Sequence, residues 1–339
     1  MKKYVSVLLI VFSASLLFAA KKKMPEWIAV PSSVYPSDVY LNGVGSGDSR
    51  ESAALEAVKN LSAFFGQTVK SKTGASKKME QAVAKGTVAF SSSSSLEQNI
   101  TSSVDAENVI GISIAEYFYN KPEKKWYAIA VLHKKETVEI YKNLLKKNDG
   151  TVRQAVNEAK KDAHSFYAYS EICFAIEIAD ENDRLLKNLM IIDFDAGNAL
   201  NAEIVSLESL RAMQKNIASS ITIFTEIRGD KNNKIKSAFQ DIFSQYGFKT
   251  SADSSLRYRI SGEFSSEIVE KKAVYCVYTL DLDFVDTKDS KSLFAVNLKG
   301  REGSVSKSDA ENRALRVLEK NIGTEFSRQF DSYINNLSF

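Results

Sequence analysis

The strongest constraint on this chain lies in its last third, where the apolar period changes cleanly from two to about 3.6. Val274, Cys276, Tyr278, Leu280, Leu282 and Phe284 recur at every second residue, which is a strand with one buried face. LRYRISGEF before it and SKSLFAVNLKGRE after it alternate in the same way. Ala310, Ala314, Val317, Leu318, Ile322, Phe326, Phe330, Tyr333 and Leu337 then fall at spacings of three and four, the stripe of a long amphipathic helix. Upstream, SSITIFTEI predicts a strand, and NNKIKSAFQDIFSQYGF predicts a helix stopped at Gly247. Residues 219–339 are therefore expected to form an α+β domain, with an antiparallel sheet covered by helices and closed by a long C-terminal helix.

The rest of the chain divides by the same periods. Residues 21–38 hold three of the four prolines and predict an extended lead-in, with Trp27 packing onto the first domain. Residues 39–148 read as that first α/β unit. YLNGVG is a short strand, and Ala54, Ala57, Val58, Leu61, Phe64 and Phe65 mark one helix face. The Ser-rich stretch 66–104 reads as long exposed strands. ENVIGISIAEYFY and KKWYAIAVL, separated by NKPEK, read as an antiparallel hairpin, succeeded by a helix from about 134 to 147. Asp149-Gly150 is a turn signal and a boundary. Residues 149–218 form a helical connector. Its first member is one long helix through Val152, Val156, Ala159, Ala163, Phe166, Ser170 and Cys173, and further helices lie near 185–192 and 204–217. The fold class is thus α+β, with two mixed sheet-and-helix units joined by a helical segment.

The first twenty residues are of another kind. Lys2 and Lys3, an apolar run from Tyr4 to Phe18, and the small pair Ala19-Ala20 have the layout of a cleaved signal peptide. The run is shorter than the roughly 20 residues that span a bilayer. An exported chain is expected, periplasmic or outer-membrane-associated. Lys21–Lys23 stand where a lipidation cysteine would follow the small pair, so anchoring through an N-terminal cysteine is not expected. The chain has 45 lysines and arginines against 42 acidic residues. Without Lys2 and Lys3 it is within one charge of neutral, which excludes a chain built to bind nucleic acid. The lysine groups at 21–23, 121–125 and 146–147 read as solvated faces, with a membrane-surface role for the first as the sharper alternative.

No catalytic, cofactor-binding or metal-binding residue is assigned. His133 and His164 are the only histidines, and neither has a partner at the spacing a metal or acid–base site uses. Cys173 and Cys276 both fall on apolar faces. Two buried thiols is the preferred reading, with a disulfide between helix and sheet the alternative that export permits. Gly43, Gly45 and Gly47 precede a helix, but no Lys-Ser/Thr completes a phosphate loop and Asp48 would repel the anion, so a tight strand-to-helix turn is expected. Asp193 with Asp195, and Asp281 with Asp283 and Asp286, lack calcium-loop spacing; Asp281 and Asp283 alternate with core residues and read as solvated on the outer strand face. Asn60 and Asn99 fit the glycosylation pattern, which is common by chance. The chain is not expected to be an enzyme.

Pro25-Glu26-Trp27, Gly43-Val44-Gly45, the helix positions Ala53, Ala57 and Leu61, and Trp126-Tyr127-Ala128-Ile129-Ala130-Val131 together resemble the LPP-twenty lipoprotein family of bacterial envelope proteins, over about residues 24–147. The resemblance implies a small α/β domain without known catalytic residues, found in envelope and flagellum-associated lipoproteins. Gly247-Phe248, Arg257-Tyr258-Arg259-Ile260-Ser261-Gly262, Ser304 through Asp309-Ala310, and Arg313-Ala314 are similar to domains of flagellar assembly protein T and to TolB-type N-terminal domains, which are assembly modules. The function implied is that of an exported, non-enzymatic envelope protein. It would work through contacts with other envelope proteins, flagellar basal components or a second copy of itself, and would sit peripherally on the membrane. The alternative is a periplasmic protein that binds a small ligand or glycan.

Overall fold

The structure is a computed structural model that describes residues 23–65, 109–270 and 273–337. The leader expected at 1–20 and the Ser-rich strands expected at 66–104 lie outside the described residues. By its contacts the chain divides into two compact units. One holds the described residues up to Leu61 together with Ile112–Leu132. The other runs from His133 onward and includes Ser62–Phe65 and Val109–Gly111.

In the first unit the prolines do not keep the lead-in extended. Pro25 caps a single helical turn, α1 (Glu26–Ala29), and Pro31 opens a 3-10 turn over Pro31–Ser33. Proline is accepted at these positions because the first amides of a helix have no intrahelical partner. Trp27 is 2% exposed and packs with Phe118, Ile129 and Val131. The sheet is β1 (Tyr40–Gly47), β2 (Ile112–Asn120) and β3 (Lys125–His133) in the order β1-β3-β2. The hairpin β2–β3 is antiparallel and carries a bulge between Ile114 and Glu116.

The glycines of β1 do something other than turn. All three lie within the strand, and helix α2 (Arg50–Ser62) rests on their backbone. A methyl at Gly43 would lie 2.6 Å from the Ala57 carbonyl oxygen, and one at Gly45 would collide with the Ala57 nitrogen. Two residues of strand advance about 6.6 Å and four of helix about 6 Å. Gly43 and Gly45 therefore step in register with Leu61, Ala57 and Ala53 along the contact. Asn60 donates from Nδ2 to the Val44 carbonyl at 2.8 Å, and the Arg50 guanidinium sits 4.0 Å over the Tyr117 ring. The expected tight turn is replaced by a seam of small residues that brings helix and strand together.

In the second unit Asp149-Gly150 is not a turn. Helix α3 (Lys134–Ala159) runs through both residues. Asp149 is buried and used as a helix residue, accepting from Arg153 Nε at 2.6 Å and from the Val205 amide at 2.8 Å. The single helix expected through Val152 to Cys173 is two. A 3-10 turn at Lys160–Asp162 ends the first, and Ser165, accepting from the Ala168 amide, caps α4 (Phe166–Ile192). The helix expected at 185–192 is the last part of α4. Asp193 and Ser206 cap α5 (Phe194–Glu203) and α6 (Leu207–Ser220). Val152, Ala155, Val156 and Ala159 pack with Ala168, Ile172, Ala175 and Ile178 in one cluster. Within the same helix pair, Asn148 donates to Asn182 at 3.0 Å and Asn188 donates to the Tyr141 hydroxyl at 3.4 Å.

The five-stranded sheet has the order β5-β4-β6-β7-β8, built from β4 (Thr222–Arg228), β5 (Lys249–Ser251), β6 (Tyr258–Glu270), β7 (Val274–Asp286) and β8 (Lys291–Ser304). It is mixed, not antiparallel as expected. β4 pairs parallel with both β5 and β6, while β6, β7 and β8 are antiparallel. The cause is helix α7 (Lys234–Tyr246), a crossover of the length that returns the chain in a parallel sense. Gly247, at φ +82°, ends α7 as expected, with the Phe248 amide bonded back to the Phe243 carbonyl. Helix α8 (Lys307–Asn335) buries Ala310, Ala314, Leu318, Ile322, Phe326 and Phe330 of the predicted stripe; Val317 and Tyr333 are half-buried, Leu337 lies beyond the helix, and Ile334, not in the stripe, is buried at its end.

The helical segment is not a free-standing connector. Phe166 and Tyr169, from the start of α4, belong to the hydrophobic core of the sheet and α8. The Phe166 ring meets Tyr258 at 4.1 Å, Phe248 and Phe330 at 5.3 Å and Phe284 at 5.7 Å between centroids. Its amide donates to the Tyr258 hydroxyl at 3.1 Å, and Ser170 donates to the Ile334 carbonyl at 2.6 Å.

Candidate functional site

Several of the titratable residues weighed from the sequence serve the scaffold, His133 and Asp193 as helix caps and Asp286 as an ion-pair partner. His133 is the N-cap of α3, where Nδ1 accepts from the Glu136 amide at 3.3 Å. His164 lies in the exposed turn before α4, not within a helix. Cys173 and Cys276 are unbridged, the first half-buried and the second buried. Cys173 accepts from Gln214 Nε2 at 3.1 Å. Burial, helped by the charge of Glu311, pushes the Cys276 thiol up from its ordinary value. Asp193 is a helix cap accepting from the Ala196 amide at 2.9 Å, and Asp195 lies in the first turn of the helix it caps. Asn60 is engaged with β1, and Asn99 lies outside the described residues. Among the described residues, no three His, Cys, Asp or Glu side chains gather to hold a metal ion.

The aspartates of β7 separate. Asp281 is exposed and takes the Asn297 amide, and Asp283 accepts from Ser292 at 2.5 Å. Asp286, unlike these two, is buried. Arg257 grips it through Nε at 2.9 Å and Nη2 at 2.8 Å, and reaches Asp162 through Nη1 at 2.8 Å. Lys288 joins Asp162 at 3.4 Å. Asp162 loses hydration by burial, yet the hydrogen bonds and charges of Arg257 and Lys288 outweigh that loss and hold its carboxyl below the usual range. Parity was the available signal, since Asp286 is in phase with the inward-facing Tyr278, Leu280 and Phe284.

A second polar cluster ties down the lead-in. Glu116 accepts from Trp27 Nε1 at 3.1 Å and from the Tyr35 hydroxyl at 2.9 Å. Burial, then the Glu116 carboxylate, pushes the Tyr35 phenol up to about 12. The bulge in β2 leaves Ala115 without a cross-strand partner and puts Glu116 opposite Ile129, on the Trp27 side of the sheet.

Among the described residues, what remains exposed is the β6–β8 part of the sheet face away from α7 and α8; on the same face Phe224 of β4 is buried, with the Arg259 guanidinium 5.2 Å over its ring. The cross-strand rows of the exposed part read Glu263–Asp281–Asn297 and Glu267–Val277–Arg301. The Arg301 guanidinium lies 3.8 Å over the Tyr275 ring. At one edge β5 has three residues, and at the other β8 has fourteen. An edge strand presents backbone donors and acceptors to any chain that lies beside it. The groove bordered by Ala179, Leu186, Ile204, Leu207 and Arg211 has a volume of about 350 Å³ and gathers no histidine or cysteine.

Residues 25–133 match the family model of the LPP20 lipoprotein. The match covers just under a third of the chain and supports the resemblance read from the N-terminal residues. It contains Trp27, the Gly43–Gly47 seam, Ala53, Ala57 and Leu61, and the central strand β3. Each of these has a packing reason on this structure. No curated protein matches the chain. Among solved structures, a minor lipoprotein from Acinetobacter baumannii aligns at 15% identity over 33% of this chain and 92% of its own, with a TM-score of 0.26. A secreted protein from Helicobacter pylori aligns at 13% identity over 85% of this chain and 98% of its own, with a TM-score of 0.40.

Proposed function

We propose that this chain is an exported cell-envelope protein that acts by docking onto other envelope proteins and not by catalysis. The observation that carries the reading is the fourteen-residue edge strand β8, beside the exposed β6–β8 part of the sheet face, which carries Glu263, Glu267, Asp281, Lys299 and Arg301. Supporting it, His133, Asp193 and Asp286 serve as caps and ion-pair partners, which accounts for them without chemistry. The LPP20 lipoprotein match and the signal-peptide layout of residues 1–20 favour the envelope. The resemblance to flagellar assembly protein T read from the residues of the last unit, which no comparison repeats, makes a flagellar basal structure one assembly to test.

The test compares two sets of variants in a strain whose own copy is deleted. Lys299→Glu with Arg301→Glu reverses the charge of β8 on the open face, where both side chains are exposed, and should abolish complementation while the protein stays folded and abundant. His133→Ala and His164→Ala should complement fully. Loss of function in a folded histidine variant, with the β8 variant active, would overturn the reading.

A further inference from the structure

The regular part of the β8 edge is Phe294–Glu302. Across these residues β8 keeps unbroken register with β7, from the pair Phe284 and Phe294 to the pair Cys276 and Glu302. The stretch contains no proline. A register shift sets Leu293 out of the ladder at one end, and at the other the Gly303 carbonyl accepts from Arg313 Nη1 at 2.8 Å. Among the described residues no strand lies on the outer side of β8. On the α8 side, Leu280 and Phe284 of β7 are buried, whereas their β8 partners Leu298 and Phe294 are only half-buried. The apolar layer is therefore incompletely covered at the edge. On the other side the exposed residues are Ala295, Asn297, Lys299 and Arg301. Among the described residues neither Lys299 nor Arg301 has an ion-pair partner. Asp281 and Asp283 sit one strand back and are taken by Asn297 and Ser292. Glu302 falls on the α8 side by parity.

We propose that β8 receives an extended segment of a partner protein as an added strand, with acidic side chains over Lys299 and Arg301 and apolar ones beside Phe294 and Leu298. This rests on the docking reading above and names the partner's chemistry. In strand addition the backbone supplies the pairing, and side chains at alternate positions select the segment. Charge makes the selection here. Opposite charges on facing strands stabilise the pair, and like charges destabilise it. A second β8 would bring its own Lys299 and Arg301 to the same face, and positive charge on an edge strand guards it against such pairing. An acidic segment turns the same two charges into attraction.

The experiment uses the full chain, in the form recovered from the envelope, and fluorescent peptides as long as residues 294–302. One alternates Glu and Val, one alternates Lys and Val, and one carries the same Glu and Val residues in two blocks. Anisotropy reads binding, and amide exchange reads the site. The alternating Glu peptide should bind the natural chain on the order of tenfold more tightly than either of the others, and should protect β8 amides between 294 and 302. Lys299→Glu with Arg301→Glu should reverse the preference between the Glu and Lys peptides. Equal binding of the three peptides, no binding of any, or binding without protection of β8 would overturn the proposal. So would β8 protection that rises with protein concentration when no peptide is present, because a second copy would then hold the edge. If the Glu peptide fails while a photo-crosslinker at Asn297 still captures a protein in cells, strand addition is overturned and the docking reading stands. If both fail, both are overturned.

Discussion

Phe166→Ala is the sharpest test of how the chain is divided. Phe166 is wholly buried, at 0% exposure, although it opens a helix expected to be part of a connector. Removing a buried phenylalanine side chain costs about 3–5 kcal/mol. The ring also has four aromatic neighbours within 6 Å, and each well-placed aromatic pair adds roughly 0.5–1.5 kcal/mol to area burial. These contributions overlap, so the upper part of the range is expected, about 4–5 kcal/mol. Urea unfolding monitored by circular dichroism gives the loss, and Ile191→Ala, at an exposed site, should stay within about 0.5 kcal/mol of the natural chain. Amide exchange should accelerate together in α4, α8 and β6–β8, because these helices and the sheet share this core. A loss below about 1 kcal/mol, typical of a surface site, or faster exchange confined to the sheet, would refute the reasoning.

Gly45→Ala should destabilise the first unit far beyond its small change in propensity, because the methyl meets α2 backbone that has no side chain to move aside; thermal unfolding measures this. Leu61→Ala, at 0% exposure, should cost about 2–5 kcal/mol in the same assay. Glu116→Gln should bring the Tyr35 phenol down from about 12 toward its ordinary value, read by absorbance titration. The Asp162 carboxyl is depressed in the folded chain, so its contribution is present above the unfolded value of about 4 and is lost as pH falls through the lower folded value. Asp162→Asn should flatten that part of the acid-unfolding curve.

Period was legible where a single face is buried. The parity of β7 and the stripe of α8 from Ala310 to Phe330 stand as the residues predict, save that Val317 is only half-buried, and Gly247 caps α7 because a positive φ is needed there. Period misled where it survived a break. Val152 to Cys173 keeps helical spacing across residues 160–165, yet Ala163 and His164 are exposed and Ser165 starts a new helix. Asp149-Gly150 has turn chemistry, but the Asp149 carboxylate finds Arg153 and the Val205 amide inside the helical bundle, and tertiary contacts override the local preference. The parallel pairing of β4 with β6 joins residues 35 apart at Ile223 and Tyr258, which no local pattern encodes. Asp286 was assignable from parity alone, but its partners Arg257 and Asp162 were not. The glycines of β1 were recognisable as special, while their purpose required seeing α2 lie across them.

Whether β8 meets another protein in the envelope can be measured directly in intact cells. A photo-crosslinking side chain is placed at Asn297, exposed on the open face of β8, with one at the exposed Lys320 of α8 as the control. A docking edge predicts a discrete protein adduct from position 297, absent from position 320 and lost with Lys299→Glu and Arg301→Glu. No adduct from 297, or the same adducts from both positions, would contradict it.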